Sequence, residues 1–158
     1  MSNVLQWRAA LRAGNVLNAP AADGPFAPIS PRDIAEVSKL ALLAPAAHAG
    51  KIYALTGAEI VTLRDEIAIL GRVLGRELIC NAISPDAAAA AARAAGRPEA
   101  IVQALHYLWT SQAAGQAAIR TSTFAEVTGH PPETFETWAQ AFAPSTFAAA
   151  TSVPRAHG

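Results

Sequence analysis

The residues best suited to chemistry in this 158-residue chain lie in the run His106-Tyr107-Leu108-Trp109. An imidazole can transfer a proton near neutral pH, and the neighbouring aromatic rings could wall a small apolar pocket around it. His106, Tyr107 and Trp109 are therefore substrate-pocket candidates. The competing reading is a helix whose tryptophan belongs to the core and whose histidine faces solvent. Arg32 and Asp33 form a second polar pair, although helix capping already accounts for the aspartate. The single cysteine, Cys80, falls in a predicted strand with nothing near it in sequence to lower its pKa, and reads as an inert buried thiol.

Other chemistry is excluded by pattern. No G-x-G-x-x-G or P-loop run is present, so no local phosphate cradle and no cofactor-binding residue can be named. His48, His106, His130 and His157 lack ligand spacing with one another or with Cys80, so no metal site is expected. There is no H-E-x-x-H and no G-x-S-x-G elbow. Tyr53 and Tyr107 are followed four residues later by Gly57 and Ser111, so neither belongs to a Tyr-x-x-x-Lys pair. No residue qualifies as catalytic on sequence grounds.

The elements that would position these side chains are easier to read. Lys51 to Thr56 is short, rich in β-formers and closed by Gly57, which predicts a strand. Thr62 with Asp65 makes a capping box, Leu63, Ile67, Leu70 and Leu74 form one helical stripe, and Gly75 stands at the C-cap. Glu77 to Ile83 resumes an extended pattern. Residues 2 to 13 read as a helix capped by Ser2 or Asn3 and ended by Gly14, with short extended pieces following at Val16–Leu17 and Phe26–Ile29. Ser30-Pro31-Arg32-Asp33 opens a helix that Pro45 stops, with Ile34, Val37, Leu40 and Ala41 as its buried stripe. Ser84-Pro85-Asp86 opens an Ala-rich helix with little to bury and so peripheral. Arg97-Pro98-Glu99 begins another, with Ile101, Leu105, Leu108 and Trp109 as its apolar face. Thr123 with Glu126 reads as a further capping box, and Phe135, Trp138 and Phe142 as a packing stripe. Residues 1–148 are expected to form a single domain and 149–158 a flexible tail.

Composition narrows the class. Apolar residues make up 52% of the chain, but alanine supplies much of that fraction. Twelve basic residues balance twelve acidic ones, with no charge run to attract nucleic acid or an anionic membrane. No stretch is long and apolar enough to span a bilayer, and one cysteine allows no internal disulfide, so a cytoplasmic setting is expected.

Three runs carry a family resemblance: Pro28-Ile29-Ser30-Pro31-Arg32-Asp33-Ile34-Ala35, Gly50-Lys51-Ile52-Tyr53-Ala54-Leu55-Thr56-Gly57-Ala58-Glu59, and Ile69-Leu70-Gly71-Arg72-Val73-Leu74-Gly75-Arg76. With Val127-Thr128-Gly129-His130-Pro131-Pro132-Glu133-Thr134-Phe135 and Trp138, and the opening Asn3 to Gly14, they resemble the C-terminal half of NmrA-like proteins, atypical short-chain dehydrogenase/reductases. The resemblance implies a helix-rich α/β chain, a partial, truncated Rossmann-like doubly wound fold with a small sheet and five to six helices. It places KIYALTG in a parallel sheet and adds Tyr53 to the substrate-pocket candidates.

It also implies a substrate-binding half separated from the Gly-rich half that holds NAD(P). By itself the chain is expected to bind no cofactor and to be incompetent for hydride transfer. An exposed strand edge then invites self-association into a homo-oligomer, or docking with a separately encoded Rossmann half. A cofactor-free module that binds a small hydrophobic ligand, or an isomerase or cyclase reusing the pocket, is the alternative.

Overall fold

The computed structural model describes residues 1–147. A 3-10 turn, Ser2–Trp7, runs directly into α1 (Arg8–Ala13), and neither Ser2 nor Asn3 caps it through its side chain. Gly14 ends α1, as its position predicts. Strand β1 (Val16–Pro20) follows, longer than the two residues read as extended there. Ser30 then accepts the N–H groups of Arg32 and Asp33 at 3.0 and 3.3 Å and starts α2 (Pro31–Leu43), with proline in the first turn where no donor is needed. A single turn, α3 (Pro45–His48), comes next.

The capping box at Thr62 and Asp65 is formed in both directions and launches α4 (Leu63–Leu74). Gly75 closes α4 in the left-handed region, at φ 62°. Strand β2 (Ile79–Ile83) lies parallel to β1, with Leu17 opposite Cys80 and Asn18 opposite Asn81. Helices α5 (Pro85–Ala94) and α6 (Glu99–Ala113) pack as a pair, and α7 (Thr123–Thr128) and α8 (Phe135–Phe147) complete the described chain. The result is a helix-rich α/β fold on a two-stranded parallel sheet. Eight α-helices are described where five to six were expected, because α3 and α7 are single short turns.

The main core gathers the opening helix, the strands, α4 and α8. Val4, Trp7, Leu11, Leu17, Ile67, Leu70, Phe135 and Trp138 are buried together. The α8 aromatic stripe is packing, as predicted: Trp138 stacks on Phe142 with ring centroids 5.4 Å apart. Ala88, Ala89 and Ala92 of α5 are buried, and Ala89 and Ala92 meet Val102 of α6 in a separate small cluster, which keeps the Ala-rich helix peripheral to the main core.

Four sequence expectations are corrected. Lys51 to Thr56 forms no strand, since no described segment pairs with its backbone, and Ile52 is 97% exposed. On α2 only Val37 of the expected stripe is buried, while Ile34 is half exposed and Asp33 is buried instead. On α6 the buried residues are Val102 and Gln112 rather than Ile101 and Leu108: Val102 packs on Ala89 and Ala92 of α5, and Gln112 donates to the carbonyl of Gly24 at 3.1 Å. Before α7 the cap is Ser122, whose hydroxyl donates to Glu126, so Thr123 and Glu126 form no capping box. The expected tail from Ala149 lies outside the described residues. Among the described residues no helix is long and apolar enough to cross a membrane.

Candidate functional site

The four pocket candidates divide between two places. His106 is on α6, one turn before Thr110, and its Nε2 lies 2.8 Å from an Asp86 carboxylate oxygen at the start of α5. The contact ties the two helices together at an exposed position. Tyr107 is 73% exposed beside it, and Trp109 is partly covered. Tyr53 belongs to the irregular segment after α3, where its hydroxyl meets His48 Nδ1 at 2.7 Å and the rings pack edge to face. No described hydrogen bond or ring contact joins Tyr53 to His106, Tyr107 or Trp109. Among the described residues the two groups are linked through the chain beyond α6. Thr121 hydrogen-bonds the Ala54 carbonyl at 2.7 Å, its N–H donates to Thr56 Oγ1 at 2.9 Å, and Arg120 donates to the Ala58 carbonyl.

A polar junction that the sequence reading explained away lies at the start of α2. Capping by Ser30 satisfies the Asp33 N–H, but the Asp33 carboxylate is a separate matter. It is buried and accepts the Glu133 N–H at 3.1 Å, across one hundred residues of chain. One Glu133 oxygen stands 3.6 Å from Arg32, and the other is buried without a hydrogen-bond partner among the described residues. Glu59 accepts the Phe135 N–H, and His130 Nε2 lies 2.9 Å from Glu36. Burial pushes the Asp33 carboxyl above its ordinary range, and the nearby Glu133 and Glu36 carboxylates push the same way. The Glu36 carboxylate raises the His130 imidazole, helped by the Pro131 carbonyl. These groups clamp the loop before α8 to the start of α2.

That arrangement sets an expected result. Asp33→Ala strands the Glu133 N–H and should cost about 1–3 kcal/mol in urea unfolding. Asp33→Asn keeps an acceptor and removes a charge that the folded state disfavours, so at pH 7 it should equal or exceed the parent. A raised folded pKa means that stability is lost as pH rises above the ordinary carboxylate value, so the Asn advantage should vanish near pH 3. Equal losses for Ala and Asn would show that the carboxylate charge is needed.

Cys80 is half-buried in β2, and burial raises its thiol pKa, in line with an inert residue. Arg64 and Asp23 form an exposed bidentate pair at 2.7 and 3.0 Å that sequence reading missed, since 41 residues separate them. A shallow groove of about 480 Å³ follows the end of α4, lined by Ile67, Gly71, Gly75 and Leu78. None of the pocket candidates borders it. The N-termini of α2, α4 and α5 are capped by the Ser30, Thr62 and Ser84 side chains, and Gly75 and Gly129 stand at helix ends.

No protein-family model matches the chain. It is 38% identical over 148 residues to (4-alkanoyl-5-oxo-2,5-dihydrofuran-3-yl)methyl phosphate reductase of Streptomyces griseus, covering 91% of this chain and 52% of that protein. It is 31% identical over 143 residues to NAD(P)H azoreductase of Xenophilus azovorans, covering 90% and 50%. Among solved structures, an NADPH-dependent quinone oxidoreductase from Escherichia coli matches with a TM-score of 0.74 and 25% identity, over 89% of this chain and 50% of that one. The chain thus spans about half the length of each. Its relatives and structural neighbours are reductases, two of them named for NAD(P)H or NADPH, together with a nucleoside-diphosphate-sugar epimerase, and its fold corresponds to about half of these Rossmann-like chains.

Proposed function

We propose that this chain is the substrate-side half of an NmrA-like NAD(P)H-dependent reductase for small conjugated acceptors. Hydride transfer requires a nucleotide-binding half that these residues do not form. The observation that carries the reading is the likeness, along nine-tenths of the chain, to half of a reductase. The three matched proteins are named for a dihydrofuranone, an azo group and a quinone, and all three are flat, conjugated electron acceptors. A flat acceptor suits an aromatic wall, and we assign that wall to Tyr107 and Trp109 on α6, with His106 between them and Asp86 as the proton-transfer group; Tyr53 lies apart, against His48.

Trp109 offers a direct readout. Trp7 and Trp138 are buried, at 5% and 3% exposure, so a quinone binding near α6 should quench Trp109 selectively. Titration with menadione is expected to quench fluorescence in the parent and far less in Trp109→Phe. NADPH added to the chain alone should bind no tighter than about 100 μM, roughly −5.5 kcal/mol. Tighter NADPH binding, or turnover of the quinone without any nicotinamide, would sink this reading and favour a self-sufficient enzyme.

A further inference from the structure

His130 stands in the loop before α8 with both ring nitrogens facing oxygen. Its Nδ1 lies 3.0 Å from the Pro131 carbonyl, and its Nε2 lies 2.9 Å from a Glu36 carboxylate oxygen on α2. A neutral imidazole carries one N–H and can serve only one of these acceptors, whereas the imidazolium donates to both. The buried Phe124 ring of α7 packs edge to face against the imidazole, with centroids 5.3 Å apart. The charges on α2 act in one direction, since Glu36 and Asp33 both favour the imidazolium. Arg32, the cation beside them, is turned to Glu133 at 3.6 Å and lies over the Phe142 ring. On α7 Glu126 accepts the Ser122 hydroxyl, and Glu59, from the segment before α4, accepts the Phe135 N–H. Helix α2 depends on such contacts. Of its 13 residues only Asp33 and Val37 are buried, while Ile34, Leu42 and Leu43 are exposed. An element with so few buried contacts opens before the core does.

We propose that His130 is a protonation-controlled latch that holds α2 against the loop before α8, closed when the imidazole is charged and loosened when it is neutral. The inference is independent of the reductase reading. Loss of the proton removes one of the two ring hydrogen bonds and the attraction of the cation for Glu36. Helix α2 is then tied to this loop by the Asp33 bond to the Glu133 N–H and by the Arg32–Glu133 pair. Glu36 raises the His130 pKa above its ordinary 6.5. The latch is therefore fully closed below pH 6.5 and released as pH climbs through the raised value. The His130–Glu36 pair is about half exposed, so release loosens α2 locally and leaves the core folded.

The test is hydrogen exchange followed by NMR at pH 6 and pH 8.5, with each amide corrected for its intrinsic rate. The Glu133 amide, bonded to Asp33, and the Val37 amide of α2 report the latch. The Leu17 amide of β1 reports the core, and with it any global change that Glu66 brings. Relative to Leu17, protection at Glu133 and Val37 should fall about threefold in the parent between the two pH values. His130→Gln has no charge to lose and should show the weaker protection at both. Glu36→Gln should do the same and also lower the His130 pKa read from its ring proton shifts. All three chains should share one far-UV circular dichroism spectrum, because both side chains are half exposed. Asp33→Asn leaves His130 and Glu36 in place and should keep the fall. Flat relative protection in the parent would overturn the proposal. So would a fall that persists in His130→Gln, or one abolished by Asp33→Asn alone, which would make Asp33 the titrating group.

Discussion

Replacing Glu66 by glutamine should raise the melting temperature at pH 8.5 by roughly 5–10 °C and leave it unchanged at pH 4. Glu66 sits on α4 among core residues and is 2% exposed. Burial displaces its carboxyl from the ordinary 4.5 to about 8, and the Met1 amino group opposes this only in part. That amino group is itself buried, donates to the Ile29 carbonyl at 2.9 Å and has its pKa lowered by desolvation. Near pH 8 it is therefore losing the charge that could offset the glutamate. A carboxyl with a raised folded pKa keeps its proton in the native state where the unfolded chain has lost it. Stability is then greatest below pH 4.5 and falls as pH climbs towards 8. At about 1.4 kcal/mol per pH unit the loss is at most about 5 kcal/mol, a large share of the stability of a domain this size. Glutamine is nearly isosteric, has no charge to bury and should abolish that slope. Parallel stability-versus-pH curves for parent and Glu66→Gln would show that Glu66 is hydrated or paired in solution.

Glu66 also shows where sequence reading loses its hold. On the α4 pattern it flanks the stripe through Leu63, Ile67, Leu70 and Leu74, three residues after Leu63 and four before Leu70, so spacing puts it beside the apolar face while its charge argues for solvent. The charge that faces it belongs to the start of the chain, some 65 residues away. Asp33 follows the same logic: the capping role is local and visible at Ser30, whereas its carboxylate is claimed by the backbone of Glu133. Helix starts were legible at Ser30, Thr62 and Ser84 because a cap is decided within three residues. The faces of α2 and α6 were not, because periodicity shows that a helix has an apolar side without showing what stands opposite. The candidate site was legible as residue types alone. His106 is held by Asp86, twenty residues back, and Tyr53 by His48. The KIYALT segment has a strand's composition, but strand formation needs a partner backbone, and within the described residues it has none.

Gly57→Ala should cost about 3 kcal/mol, more than most single-methyl additions, because the clash is with backbone. A Cβ at Gly57 would lie 1.9 Å from the Pro28 carbonyl oxygen and 2.8 Å from its carbon. Neither atom can rotate away, so the 26–28 and 56–58 segments must separate. The Gly57 N–H bond to Ala27 and the paired bonds between Phe26 and Val61, at 2.9 and 2.8 Å, lie in the path of that movement. On the far side Thr121 and Arg120 hold Thr56 and Ala58, so the segment cannot simply shift outwards. Overpacking costs typically about 1–3 kcal/mol where side chains can adjust, and this site falls at the upper end. Gly50→Ala is the matched control: Gly50 has φ 73° and nothing within 4 Å of an added methyl, so it should lose only the roughly 1–2 kcal/mol of left-handed strain. The measurements are urea midpoints for both variants and hydrogen exchange at Phe26 and Val61. Gly57→Ala should lose protection at those two amides while Gly50→Ala keeps it. If the two variants lose the same stability and both retain protection, the close approach at Pro28 does not exist in solution. A confirmed loss would show that the close approach of a single glycine to Pro28 holds the end of Lys51–Thr56 in place.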